Sequence, residues 1–330
     1  MKIKKIIPIL LSASVSLFVS AQTDVPNTPQ WQVTLHVTDE GGVPVAGANV
    51  FASYFIPPPP NATEAESRKT GTTDTNGIVI LTAHSGPAIW YGAASPGYYS
   101  TASTEYDFDT RNKANGQWHP WNPTVTLALK KVVSPIPMYV NSVDVAHKKK
   151  PILDKPVGFD LTVGDWVAPF GKGTTPYMFF TWHEEHDTNA SSNSGTRYNR
   201  GWESTLTISF PHDGDGIQEF DTSNPGDSEL RSAQEAPLQG YSPTLVKIAS
   251  WYPDRPATNT YNHLHKNYYL RVQTVLDENG NVKSAQYGKI YGDFDETVLT
   301  YLNPTPNSRD LEFDKKHNLG NAGIGGSVAY

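Results

Sequence analysis

The chain has 330 residues, 26 Lys and Arg against 33 Asp and Glu, a formal net charge of −7, and no cysteine. The acidity argues against nucleic acid as a partner, because phosphate binding needs a positive stripe. The missing cysteines exclude disulfides, thiolate metal sites and thiol nucleophiles. Folding must therefore rest on buried apolar area, for which the length is ample, and that length predicts two domains.

Residues 1–21 read as a secretory leader. Lys2, Lys4 and Lys5 supply the positive start, Ile6 to Val19 the apolar run, and Val19-Ser20-Ala21 a small-residue cleavage site before Gln22. The run is shorter than the roughly 20 apolar residues needed to span a bilayer. No second such segment follows. The expectation is a secreted or periplasmic bacterial protein cleaved near Ala21, with no membrane span in the mature chain and a short linker over 22–30.

Helical periodicity is nearly absent, and 26 Gly and 26 Pro punctuate the chain. Short alternating runs between turn residues predict an all-β protein. Trp31, Val33, Leu35 and Val37 alternate with Gln32, Thr34 and His36, the pattern of a half-buried strand. Asp39-Glu40-Gly41-Gly42 then turns the chain, and a second strand begins within Pro44 to Val50. Thr73-Asp74-Thr75-Asn76-Gly77 is a tight turn, since Asp bonds to backbone two residues on and Asn-Gly tolerates positive φ. Ile78, Ile80 and Thr82 continue as a strand. Pro57-Pro58-Pro59-Pro60 favours a stiff extended spacer or docking segment.

Taken together, Trp31 to Asp39, Gly42-Val43-Pro44-Val45-Ala46-Gly47-Ala48-Asn49-Val50, Thr73 to Gly77 and Gly97-Tyr98 resemble the carboxypeptidase regulatory-like domain. The resemblance covers residues 31–130 and implies a transthyretin-type β-sandwich. It also implies a structural and positioning role beside another domain, and it supplies no reaction. The four-proline insertion departs from the plain pattern.

A linker is expected over 131–139, around Pro135 and Pro137. Beyond it, strands are predicted at 139–146, 157–163, 177–185, 204–210, 244–252, 268–277, 282–293 and 297–302. Asp277-Glu278-Asn279-Gly280-Asn281 is a hairpin signal between two of them. About eight strands predict a second antiparallel sandwich over 140–314, jelly-roll-like or Ig-like. A Gly-rich, mobile tail is expected over 315–330.

Candidate chemistry is sparse. No G-x-S-x-G elbow occurs, and Trp166 stands where a phosphate loop before Gly171-Lys172-Gly173-Thr174-Thr175 needs glycine. His183 and His186 are three apart, which puts them on opposite faces of a strand. His263 and His265 have the i, i+2 spacing of two ligands on one face, but a metal site needs three or four. Asp213 and Asp215, with Asp221, Asp227 and Glu229 following, offer hard oxygens to calcium. Asp-Gly pairs are equally ordinary turn formers, so no cofactor is expected and calcium is the alternative. Carboxylate pairs for glycoside hydrolysis are defined across a cleft, so spacing along the chain selects none.

Aromatic doublets and pairs give the other hint: Trp90-Tyr91, Trp118 with Trp121, Trp251-Tyr252 and Tyr268-Tyr269. Flat rings stack on sugar faces, while neighbours on a strand point to opposite faces, so a doublet can bury one ring and expose the other. Trp118 and Trp121 stand in a polar setting and are the leading ligand candidates, followed by Trp251 and Tyr252. Asn61-Ala62-Thr63 and Asn189-Ala190-Ser191 match the N-glycosylation pattern. The preferred expectation is an exported, non-catalytic protein acting in binding or assembly, with glycans or a cell-envelope protein as partner. A secreted hydrolase, metal-dependent or not, and a purely structural surface component are the rivals. Exposed rings on a sheet face favour the first, and a cleft gathering histidines with a carboxylate favours the second.

Overall fold

The computed structural model describes residues 28–56, 65–101, 104–144, 152–186, 201–222, 228–252, 255–262, 266–295 and 297–322. The expected leader, the four-proline run and both glycosylation patterns lie outside them. The described residues form strands and no helix, and no helix is long and apolar enough to cross a membrane.

The first strands are β1 (Gln30–Asp39), β2 (Asn49–Ile56), β3 (Ala65–Thr72), β4 (Ile78–His84), β5 (Ala88–Ala94), β6 (Thr104–Asp107), β7 (Lys113–Ala114), β8 (Gln117–Trp118) and β9 (Thr124–Leu129). One sheet runs β4-β1-β8-β7, with β9 also paired to β1, and a second runs β3-β2-β5-β6. Period-two alternation drives the packing. Trp31, Val33, Leu35 and Val37 are all fully buried and share a core with Val50, Ala52 and Tyr54 of the facing sheet. Trp31 meets Tyr54 edge-on at 5.5 Å and donates its indole N–H to Ser85 Oγ at 2.8 Å.

The later strands are β10 (Ile136–Asp144), β11 (Val157–Asp160), β12 (Asp165–Trp166), β13 (Met178–His186), β14 (Trp202–Ser209), β15 (Gly216–Asp221), β16 (Thr244–Tyr252), β17 (Arg255–Asn259), β18 (Lys266–Leu276), β19 (Val282–Tyr291), β20 (Thr297–Leu302) and β21 (Phe313–Asn318). They build one sheet in the order β15-β18-β19-β20-β10-β21 and another in the order β12-β11-β13-β14-β16-β17. Between these sheets lies an aromatic core in which Trp166 meets Phe159, Phe180 and Trp182 edge-on, with centroids 5.1 to 5.4 Å apart. The first of the two sheets is buried on both faces. Tyr268 and Leu270 face the aromatic core, while Tyr269, Tyr287, Tyr291 and Tyr301 belong to a separate cluster with Met138 and Leu311. Double burial explains why Tyr268-Tyr269-Leu270 reads as a continuous apolar run instead of an alternation.

Three pairings correct the purely antiparallel expectation: β1 with β8, β1 with β9, and β10 with β21 are parallel. Between β1 and β9 the chain crosses between the two sheets more than once, so β1 lies between antiparallel β4 and parallel β9. The expected linker at 131–139 already contains the start of β10, and it is pinned. Buried Glu312 accepts the backbone N–H groups of Val133 and Ser134, and Lys130 Nζ donates to Ser232 O at 3.0 Å. The expected mobile tail likewise begins inside β21. Asn318 holds the ladder by accepting from Val140 N at 2.9 Å and donating to Val140 O at 3.1 Å, and hydrogen bonding continues to Ala322.

Candidate functional site

The strongest candidate is the outward face of β3-β2-β5-β6. On β2, Val50, Ala52 and Tyr54 enter the core, which turns Phe51, Ser53 and Phe55 outward. The register sets Thr70 and Gly92 opposite Phe51, Arg68 and Trp90 opposite Ser53, and Glu66 opposite Phe55. Directly opposed residues share a face, so three strands contribute to one surface. The resulting groove has a volume of about 860 Å³ and is lined by Phe51, Phe55 and Trp90 together with Ser53, Glu66 and Arg68. That size lies within the range of small-ligand sites.

The groove is internally braced. Phe55 and Trp90 meet edge-on at 5.2 Å, which fixes both ring planes. The Arg68 guanidinium lies 4.4 Å from the Phe51 ring centroid, and its Nε donates to Ser53 Oγ at 3.0 Å. Gly92 makes the arrangement possible: a Cβ there would stand 2.8 Å from the Phe51 ring and 2.7 Å from Thr101 O. The surface therefore combines apolar ring faces with one cation, one carboxylate and hydroxyl groups. Such a set can stack on a ring and bond to its equatorial substituents.

The predicted site residues fall elsewhere. Trp118, a leading candidate, is a core residue: it is buried and donates its indole N–H to Ser85 O at 2.9 Å. Its sequence neighbours are polar because they sit in a surface turn, while the ring itself points inward. Trp121 is half-buried. Trp251 is exposed and directly opposite Trp202, which is in turn opposite His186, so these three form a row at one end of their sheet, on the same face as buried Trp182, Leu206 and Lys247 and exposed at the end of that core. Tyr252 is half-buried, with the Arg255 guanidinium 3.5 Å above its ring. The doublet argument succeeds at Trp90-Tyr91, where Tyr91 is buried and Trp90 lines the groove. It fails at Tyr268-Tyr269, where both rings are buried.

His183 and His186 both lie on β13 and face opposite sides, and His263 and His265 are outside the described residues. Asp213 is exposed, whereas Asp215 is buried and accepts the Thr274 backbone N–H at 2.7 Å. Burial raises the Asp215 carboxyl above the ordinary value. Its role is to hold the start of β15 to β18. Among the described residues no three or more His, Asp or Glu side chains gather as a metal site.

His183 has a different partnership. Its Nδ1 lies 2.6 Å from Asp154 Oδ1 and its Nε2 lies 3.0 Å from Glu185 Oε1. These bonds, Asp154 first, raise its pKa to about 9. A raised histidine value means the contact is fully present below the unfolded value of about 6.5 and is lost as pH rises through about 9. The expected imidazole NMR titration has its midpoint near 9, falling toward the ordinary value in Asp154→Asn. A wild-type midpoint at the ordinary histidine value would contradict the pairing.

No protein-family model matches the chain, and no curated protein matches it. Solved structures give partial likenesses. 3-Chlorocatechol 1,2-dioxygenase from Rhodococcus opacus 1CP is 14% identical over 32% of this chain and 61% of its own, with a TM-score of 0.24. The match thus spans about three fifths of that enzyme. The shaft pilin SpaA from Lactobacillus rhamnosus GG is 14% identical over 75% of this chain and 89% of its own, with a TM-score of 0.23. The major pilin SpaD from Corynebacterium diphtheriae is 10% identical over 87% and 67%, with a TM-score of 0.25. Superpositions this loose carry no argument about function.

Proposed function

We propose that this is an exported β-sandwich protein that binds carbohydrate on the outer face of β3-β2-β5-β6 and acts in binding or assembly at the cell surface or envelope. The observation that carries the reading is the groove of about 860 Å³ built on Phe51, Phe55 and Trp90, with Arg68, Glu66 and Ser53 among the rings. Arg68 and Glu66 offset each other in charge, which suits hydroxyl-rich neutral sugars better than a strongly charged ligand. The leader-like segment at 1–21 supports export. The regulatory-like resemblance at 31–130 supports a groove carried on a positioning module, so the glycan would anchor the C-terminal sandwich.

The test is glycan-array screening followed by titration calorimetry on the best oligosaccharide. Trp90→Ala is expected to weaken binding about tenfold, about 1.4 kcal/mol, for the loss of one stacking ring. Trp118→Phe, a core change, is expected to leave affinity unaltered. Equal affinity of Trp90→Ala and wild type would remove the groove from consideration.

A further inference from the structure

A second constellation is built on other strands than the groove and does not depend on the glycan reading. Lys247 of β16 and Asp293, just beyond β19, come from facing sheets, and their side chains are 3% and 0% exposed. Lys247 Nζ stands 2.9 Å from Asp293 Oδ2. Oδ1 of the same carboxyl receives two donors, the Tyr268 hydroxyl at 2.7 Å and the Phe294 backbone N–H at 2.9 Å. A second carboxylate, Glu219 on β15, reaches Nζ at 3.7 Å and is itself held by Lys266.

We propose that Lys247 and Asp293 condense to an amide, a covalent bond between side chains that ties the two sheets together. The groups hold the positions such a reaction needs. An amine is fixed against a carboxyl in a dry site, which replaces a bimolecular encounter with a preset one. Two donors converge on the oxygen that bears negative charge in the tetrahedral intermediate. Burial first, and then the neighbouring Asp293, push the Tyr268 hydroxyl upward from its ordinary value, so it stays a donor. Glu219, whose Oε2 faces the amine while Lys266 holds its Oε1, can carry a proton.

The balance closes without any other reactant. One proton passes from Nζ to Oδ2 along their contact, leaving an amine lone pair and a neutral acid. That lone pair bonds to Cγ, and the electron pair of the carbonyl moves to Oδ1, facing Tyr268 and the Phe294 N–H. Glu219 takes a second proton from Nζ and delivers it to Oδ2. The Cγ–Oδ2 bond breaks, Oδ2 leaves as water, and the Oδ1 carbonyl reforms. Nothing is oxidised or reduced, and Nζ keeps one proton as the amide N–H.

The test is the intact mass of the secreted, folded full chain, with peptide mapping to fix its N-terminus and the site of any loss. The expected mass is lower than the sequence by one water. A proteolytic fragment should join the peptide of Lys247 to that of Asp293, with no tryptic cleavage after Lys247. A folded wild-type protein at full sequence mass, with those two peptides separate, overturns the proposal without recourse to any variant. In Glu219→Gln the joined fraction should fall at least tenfold while the protein stays folded. Complete water loss in that variant overturns the role given to Glu219.

Discussion

Where Lys247 and Asp293 are not joined, Asp293→Ala is expected to destabilise the protein by about 3–5 kcal/mol, the size of breaking one partner out of a buried charged pair. Four donors converge on this carboxyl: Lys247 Nζ at 2.9 Å, Asn262 N at 2.8 Å, the Tyr268 hydroxyl at 2.7 Å and Phe294 N at 2.9 Å. Removing it strands an ammonium group that among the described residues keeps a hydrogen bond to Thr260 O at 3.3 Å and a more distant contact with Glu219. The cost is dominated by that stranded cation rather than by the lost attraction. Tyr268→Phe removes a single hydrogen bond to the carboxyl and should cost less, about 1.5–3 kcal/mol. The double change Lys247→Met with Asp293→Leu takes both charges out together and should recover most of the loss. Urea unfolding of the four proteins, with each Lys247–Asp293 reference taken from material at full sequence mass, measures all of this. A change below about 1 kcal/mol in Asp293→Ala would show that the pair holds nothing together.

The fold was legible wherever one rule of local chemistry acted alone. Alternation placed β1, and the turn residues placed the hairpins. Asp74 Oδ1 accepts from Asn76 N and Ile78 N, and Asp277 Oδ1 accepts from Asn279 N and Asn281 N. Gly77 and Gly280 take the positive φ that both turns demand. Legibility ended at polar edge strands. β17 is exposed throughout, and β21 reads Phe-Asp-Lys-Lys-His-Asn, so neither carries an alternation. Their pairing comes from backbone and from Asn318, which periodicity does not register. The groove was hidden for the opposite reason. β2 is aromatic or aliphatic on both faces, so nothing in Val-Phe-Ala-Ser-Tyr-Phe says which rings point outward until the facing sheet claims Tyr54. Trp118 misled because polar neighbours describe the turn rather than the ring. Lys247 and Asp293 are 46 positions apart on facing sheets, and only the assembled register brings them together.

Asp160 carries the second large effect, and it brings a pH dependence. The residue ends β11 fully buried and organises the adjoining turn. Its Oδ1 accepts Thr162 Oγ1 at 2.6 Å and Thr162 N at 2.9 Å, and its Oδ2 accepts Thr174 N at 2.9 Å and Thr175 N at 3.0 Å. Gly173 packs so closely that a Cβ there would lie 2.7 Å from Asp160 Cβ. Burial alone raises this carboxyl, but the Thr162 hydroxyl and the backbone donors outweigh it, so its pKa falls below the ordinary value. A lowered carboxyl value stabilises the fold above the unfolded value of about 3.9, and the contribution is lost as pH falls through the folded value. Asp160→Ala is expected to cost about 3 kcal/mol at neutral pH, since several buried N–H groups lose a charged acceptor at once. Asp160→Asn keeps an acceptor oxygen but places an amide against further donors, and should cost about 2 kcal/mol. Neither variant titrates, so both should lose part of the acid sensitivity of the wild type. Unfolding free energies measured from about pH 5 downward should therefore converge on those of the variants as the wild-type carboxyl takes up its proton. Parallel curves for wild type and Asp160→Asn across that window would mean the carboxyl titrates alike folded and unfolded. In that case its donors would not favour the ionised form.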